Sequence, residues 1–125
     1  MEPKPRKVEY YQTKAGKAPF REWLDKLNDR VGKARIDARV TRLQAGQFGK
    51  CKSVGNGVYE LKDKFGPGYR IYYAEDGQEV ILLLCGGDKS DQQADIQVAK
   101  NYWTDHQLRK QERMKEHGKK EGKLC

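Results

Sequence analysis

The stretch G-V-Y-E-L-K-D-K-F-G-P-G-Y-R-I-Y-Y-A-E-D-G-Q-E-V-I-L-L-L-C-G-G-D-K, residues 57–89, decides how the fold is read. It contains three runs with strand character, residues 58–64, 69–74 and 79–85. Between them lie Phe65-Gly66-Pro67-Gly68 and Glu75-Asp76-Gly77-Gln78. Glycine supplies positive φ and proline a preset φ, so both linkers predict antiparallel hairpins.

Successive side chains of a strand point to opposite faces. Tyr59 and Leu61, with Phe65, fall on one side; Glu60, Lys62 and Lys64 fall on the other. In the second run Tyr69, Ile71 and Tyr73 oppose Arg70 and Tyr72. If the apolar sets meet in one core, Glu60, Lys62, Lys64, Arg70 and Tyr72 share the opposite face. The third run is apolar both ways, Val80, Leu82 and Leu84 against Ile81, Leu83 and Cys85, which is the pattern of a central strand. Lys89 follows in the loop at its end. A polar strand face is most often the solvent side of a half-buried sheet. Here it gathers cations, a phenol and a carboxylate, the components of a candidate RNA-cleaving face.

Outside this stretch, residues 8–13 (V-E-Y-Y-Q-T) form a first strand, expected beside the two-sided apolar one. Pro19 suits the first position of a helix whose Phe20, Trp23, Leu24 and Leu27 repeat at i, i+3, i+4 and i+7. A second helix covers residues 29–44, with Ile36, Val40 and Leu43 inward and Gly46 as its stop. Arg35, Arg39 and Arg42 form a separate stripe on it. That stripe is either a solvated helix face or a phosphate-contacting one, since the guanidinium fork pairs well with phosphate. Residues 47–56, with Phe48, Lys50, Cys51 and Lys52, read as a loop. Ser90 opens an S-x-x-Q capping box for a last helix to about Arg113, with Ile96, Ala99 and Trp103 inward. The fold class is α+β, in the order β-α-α-β-β-β-α, around a twisted, mainly antiparallel sheet of four strands. Residues 1–113 make one domain, and residues 114–125 a basic, frayed tail.

Composition narrows the function. The 125 residues carry 26 Lys and Arg against 18 Asp and Glu, a net charge of +8, which favours a polyanionic partner. No apolar run is long enough to span a membrane. The first residues lack the apolar segment of a signal peptide, so a cytoplasmic location is expected. Three cysteines, Cys51, Cys85 and Cys125, show no C-x-x-C spacing and read as reduced thiols. His106 and His117 have no partner ligands nearby in sequence, so neither a metal nor another cofactor is expected.

The segments G-x-Y-E-L-K at residues 57–62, G-Y-R-I-Y-Y at 68–73 and L-L-C-G-G-D-K-S-D-Q-Q-A-D-I at 83–96 resemble the RelE/ParE toxin superfamily. The nearer likeness is to its HigB-like "addiction module killer protein" branch, related to phage host-inhibition proteins. P-F-R-E-W-L at residues 19–24 fits as well. Where that branch often has Arg after Glu-Leu, this chain has Lys62, which keeps the charge without the fork. The resemblance implies a small RelE-like domain with a concave basic face. It also implies a toxin of a type II toxin–antitoxin system, silenced by a cognate antitoxin, often a helix-turn-helix protein, encoded beside it. Most HigB and RelE types cut messenger RNA on the ribosome, whereas ParE types poison DNA gyrase.

Metal-free RNA cleavage needs a group to take the 2′-hydroxyl proton, cations for the phosphoryl oxygens and a proton for the leaving 5′-oxygen. Arg70 and Lys89 suit the cation role, Lys62 and Lys64 line the approach, and Tyr72 and Glu60 are candidates for proton transfer or for stacking and orienting. Tyr72 could act as a base only if neighbouring cations lowered its pKa. Lys64, Glu60, Arg35, Arg39, Arg42, Lys50 and Lys52 are the candidate RNA contacts. Such a site makes sense if the ribosome completes it. A gyrase inhibitor without enzymatic activity, and an RNA-binding module, are the competing expectations.

Overall fold

In a computed structural model, which describes the backbone of residues 4–124 and the side chains of residues 4–116, the strands assemble into one sheet. The elements are β1 (Lys7–Tyr10), α1 (Pro19–Lys26), α2 (Arg30–Gln44), β2 (Cys51–Gly55), β3 (Val58–Lys62), β4 (Arg70–Asp76), β5 (Val80–Gly87), a short 3-10 turn (Lys89–Asp91) and α3 (Gln92–Leu124). The sheet order is β1-β5-β4-β3-β2. Only β1 is parallel to its neighbour, pairing Lys7 with Val80 and Tyr10 with Leu83. The α+β class and the place of the first strand agree with expectation.

The sheet has five strands where four are expected. The extra one is β2, inside the span read as a loop. It is joined to β3 by a two-residue turn, Asn56-Gly57, with φ of 58° and 84°. Positive φ at both central positions matches the twist of a tight hairpin, and Asn-Gly adopts it at little cost.

One face of the sheet packs on α1 and α2. Its core joins Phe20, Leu24, Ile36 and Leu43 to Leu61, Ile71, Tyr73, Ile81 and Leu83. Proline occupies the start of α1 as expected, and Asp29 caps α2 by accepting from the Gly32 N–H at 2.9 Å. The Tyr69 hydroxyl donates to the same carboxylate at 2.9 Å, which fixes the start of α2 to the start of β4. Phe65, expected on this core face, instead sits in the β3–β4 loop at the surface.

The other face is not open to solvent. It is roofed by α3, whose Ala99 and Trp103 meet Tyr11, Val58, Tyr72, Ala74, Leu82 and Leu84. A β-bulge, where Tyr72 pairs with Cys85 but Tyr73 with Leu83, breaks the alternation along β5. Cys85 therefore joins Leu82 and Leu84 under α3 instead of facing α1 and α2. Beyond the bulge, a Cβ added at Gly86 would collide with the Trp23 ring, and one at Gly87 with the Asp95 carboxylate. The Gly-Gly pair thus admits α1 on one side and α3 on the other.

The start of α3 also differs from expectation. Ser90 lies inside the 3-10 turn that leads into it, and Asp88 caps that turn, its carboxylate accepting from the Ser90 N–H at 2.8 Å. The helix continues past Arg113 to Leu124, 33 residues or about 50 Å. The expected basic tail falls largely outside the described side chains. Among the described residues no helix is long and apolar enough to cross a membrane.

Candidate nucleic-acid interface

Lys62 and Arg70 are direct cross-strand partners, and Arg70 in turn pairs with Gly87. The loop of residues 65–68 brings Lys89 to the same end, because the Lys89 N–H donates to the Pro67 carbonyl at 3.3 Å. A Cβ placed at Gly68, where φ is 74°, would lie 3.3 Å from Arg70 Nη1 and 3.7 Å from Lys89 Cβ. The three cations expected together, Lys62, Arg70 and Lys89, therefore meet at one corner of the sheet.

They do not have equal access. Lys62 and Lys89 are exposed, whereas Arg70 is 3% and Glu60 5% exposed. Arg70 Nη1 donates to the Gly68 carbonyl at 2.7 Å, and its Nε lies 3.7 Å from Glu60 Oε2 without a hydrogen-bond partner. Gln92, at the first turn of α3, donates to the same Glu60 oxygen at 3.0 Å. Burying a charge is costly unless it is paired, so Arg70 and Glu60 hold each other in place beneath α3.

Tyr72 departs furthest from expectation. It is fully buried, and its hydroxyl has no partner. Burial drives its pKa well above the ordinary phenol value, and the Glu60 charge adds to the shift. A base would need the opposite shift, so Tyr72 is a packing residue of the α3 face. Asp88, missed in the sequence reading, is held below the usual carboxylate range by Ser90, with Arg70 contributing. Its signal was present: an Asp two residues before a Ser at a helix entry is a capping pattern.

The exposed cations gather one step away. A cleft of about 520 Å³ is lined by Arg35, Arg39, Arg42, Phe48, Lys50, Lys62, Asp63 and Lys64. The arginine stripe reaches it because Ile36 and Leu43 are buried on the opposite side of α2. Arg39 Nη1 donates to the Lys62 carbonyl at 3.4 Å, a long bond that ties α2 to the end of β3. Lys50, Lys62 and Lys64 also border a second depression of about 220 Å³ with Cys51, Lys52 and Glu60. Lys52 opposes Glu60 in the β2–β3 ladder, so this second depression lies on the α3 side. The cation surface therefore wraps around the corner of the sheet, from α2 to the open part of the other face.

Only one carboxylate interrupts the larger cleft, and it is already engaged. Asp63 accepts from Arg35 Nε at 3.0 Å and Nη2 at 2.9 Å, and from the Phe65 N–H at 2.9 Å. The Arg35 guanidinium holds its pKa below the usual carboxylate range, although burial opposes this. Arg35, Arg39, Arg42, Lys50, Lys52 and Lys64 are thus brought together with Lys62. Arg70, Glu60 and Tyr72 lie under the adjacent roof. His106 is far from this corner, bonded to Asp76 Oδ2 at 2.8 Å. Among the described residues no three His, Cys, Asp or Glu side chains cluster as metal ligands would.

Residues 22–118 match the family described as "Phage derived protein Gp49-like (DUF891)". The chain is also 49% identical over 81 residues to an uncharacterized protein of Haemophilus influenzae, an alignment covering 65% of this chain and 82% of that one.

Proposed function

Since the chain belongs to the Gp49-like family of phage-derived proteins, we propose that it is the toxin of a toxin–antitoxin module and acts as a ribosome-dependent endoribonuclease on translated messenger RNA. Its partners in this reading are the ribosome, messenger RNA and a cognate antitoxin, a helix-turn-helix protein encoded alongside, all in the cytoplasm. The observation that carries the reading is the cleft at the α2–β3 corner. Cations from α2, the 47–50 loop and β3 converge there, and the one acid is already paired. Such a surface fits a backbone of regularly spaced phosphates.

Cleavage joins the 2′-oxygen to phosphorus and breaks the bond from phosphorus to the 5′-oxygen. The 2′-proton passes to a base, and the 5′-oxygen receives a proton. In this reading Lys62 and Lys89, exposed on either side of Arg70, neutralise the phosphoryl oxygens. Arg70 acts from beneath, as a fixed positive charge held by Glu60 and Gly68. The proton transfers fall to groups that the ribosome brings, because Tyr72 is buried and its pKa is raised.

One observation favours a second reading. The burial of Arg70 and Tyr72 suits a protein that inhibits by binding alone, as a gyrase inhibitor would. Toeprinting with purified translating ribosomes separates the two. New messenger 5′ ends at the cut, abolished in Lys89→Ala, support the nuclease. Intact messages together with inhibited supercoiling by purified gyrase overturn it.

A further inference from the structure

Within the cleft Arg35 differs from its neighbours. Its Nε and Nη2 both donate to the Asp63 carboxylate, at 3.0 Å and 2.9 Å. That bidentate grip fixes the plane of the guanidinium. One side of the plane lies over the Phe65 ring, 5.0 Å from its centroid. The anchor is itself immobile, because Asp63 is 7% exposed and also accepts from the Phe65 N–H at 2.9 Å. Yet the Arg35 side chain stays 50% exposed and Phe65 38% exposed. A partly neutralised guanidinium is a weaker phosphate ligand than Arg39 or Arg42. What it retains is a flat, rigid, accessible surface backed by an aromatic ring.

We propose that the Arg35–Phe65 stack is a platform for one unpaired base of a single-stranded RNA, a role that rests on the polyanion reading of the cleft. Bases stack on guanidinium planes and aromatic rings, and a platform ordered in advance avoids an entropy cost on binding. The neighbouring cations Arg39, Arg42, Lys62 and Lys64 take the phosphates on either side of that base. The aromatic that lines the cleft itself, Phe48, is not available in the same way. Its ring stacks on Tyr73, 6.2 Å away, and is covered by Arg6 at 5.2 Å. A duplex would not serve, since its base faces are already stacked on each other.

The test compares a short labelled oligoribonucleotide with inorganic polyphosphate, a polyanion without bases, by fluorescence anisotropy. Arg35→Lys keeps the charge and removes the plane. It is expected to weaken RNA binding by roughly 5- to 150-fold, the range for one stacked base, and to weaken polyphosphate binding by a much smaller factor, through the looser Asp63 pair alone. Phe65→Trp is expected to keep RNA affinity and to show indole quenching by RNA but not by polyphosphate, measured as a difference from wild type. If Arg35→Lys fails to fold, the quenching carries the test alone. Equal loss toward both polyanions, or no quenching in Phe65→Trp, overturns the platform and leaves the cleft reading standing. Wild-type protein that binds neither polyanion overturns both.

Discussion

The α2–β3 corner and the space beneath the start of α3 are built from the same residue types in opposite surroundings. At the corner, Arg39, Arg42, Lys50, Lys62 and Lys64 line a cleft open to solvent, and its single carboxylate is held by Arg35. Under α3, Arg70 and Glu60 are almost sealed from solvent and lean on each other. Arginine in the first place can touch a passing polymer. In the second it positions the scaffold that presents the others. Charge in a sequence therefore does not equal charge on a surface, and substitutions should separate the two regions by what they disturb.

The largest effect is expected for Arg70→Ala, which leaves Glu60 buried with only the neutral Gln92 amide beside it. A loss of roughly 3–5 kcal/mol is typical for such a break. Thermal melting followed by circular dichroism reads it directly, and a wild-type melt would erase the distinction between the regions. The glycine pair that ends β5 tests the packing on both faces of the sheet. Gly86→Ala drives a methyl into the rigid Trp23 ring, for about 1–3 kcal/mol, as overpacking does. Gly87→Ala meets the end of a carboxylate that can swing away, so its urea midpoint should drop less. Equal losses would mean that α3 lies as rigidly against the sheet as α1.

At the corner, pH is the probe. The Asp63 pKa is lowered in the folded protein, chiefly by its bond to Arg35. Its contribution to stability is therefore complete above the unfolded carboxylate value, about 4, and disappears as the pH falls through the lower folded value. The stability gap between wild type and Asp63→Asn should be widest near neutrality and close on acidification. A gap that stays constant in urea titrations from neutral to strongly acid pH would point to packing, not charge. Smallest in stability is Arg39→Ala, expected within about 0.5 kcal/mol of wild type. Its effect belongs to binding: the slope of log affinity for RNA against log salt should fall by about 1. An unchanged slope would remove Arg39 from the polymer's path.

Much of this arrangement is readable from residues 57–89, because alternation sorts Tyr59, Leu61, Ile71 and Tyr73 from Glu60, Lys62, Arg70 and Tyr72. Alternation says which residues share a face. It says nothing about whether that face is covered. The cover is α3, whose inward stripe of Ile96, Ala99 and Trp103 was legible while its destination was not. The strand β2 escaped notice because C-K-S-V-G offers a single large aliphatic side chain, as an exposed edge strand can. Its Asn-Gly turn was the available signal. Phe65 was misplaced because the strand ends at Lys62, so period-two counting no longer applies three residues later. The cleft could not be foreseen from spacing at all, since Arg39 and Lys64 meet only through the packing of α2 on the sheet.

The parallel strand at the sheet's edge sets a schedule. Tyr10 leaves the ribosome early, yet its ladder partner Leu83 is synthesised about 70 residues later. Pairings this distant in sequence close late, after the loop-closure entropy has been met by other contacts. The nascent chain must therefore carry its opening segment unpaired until nearly the whole domain has emerged.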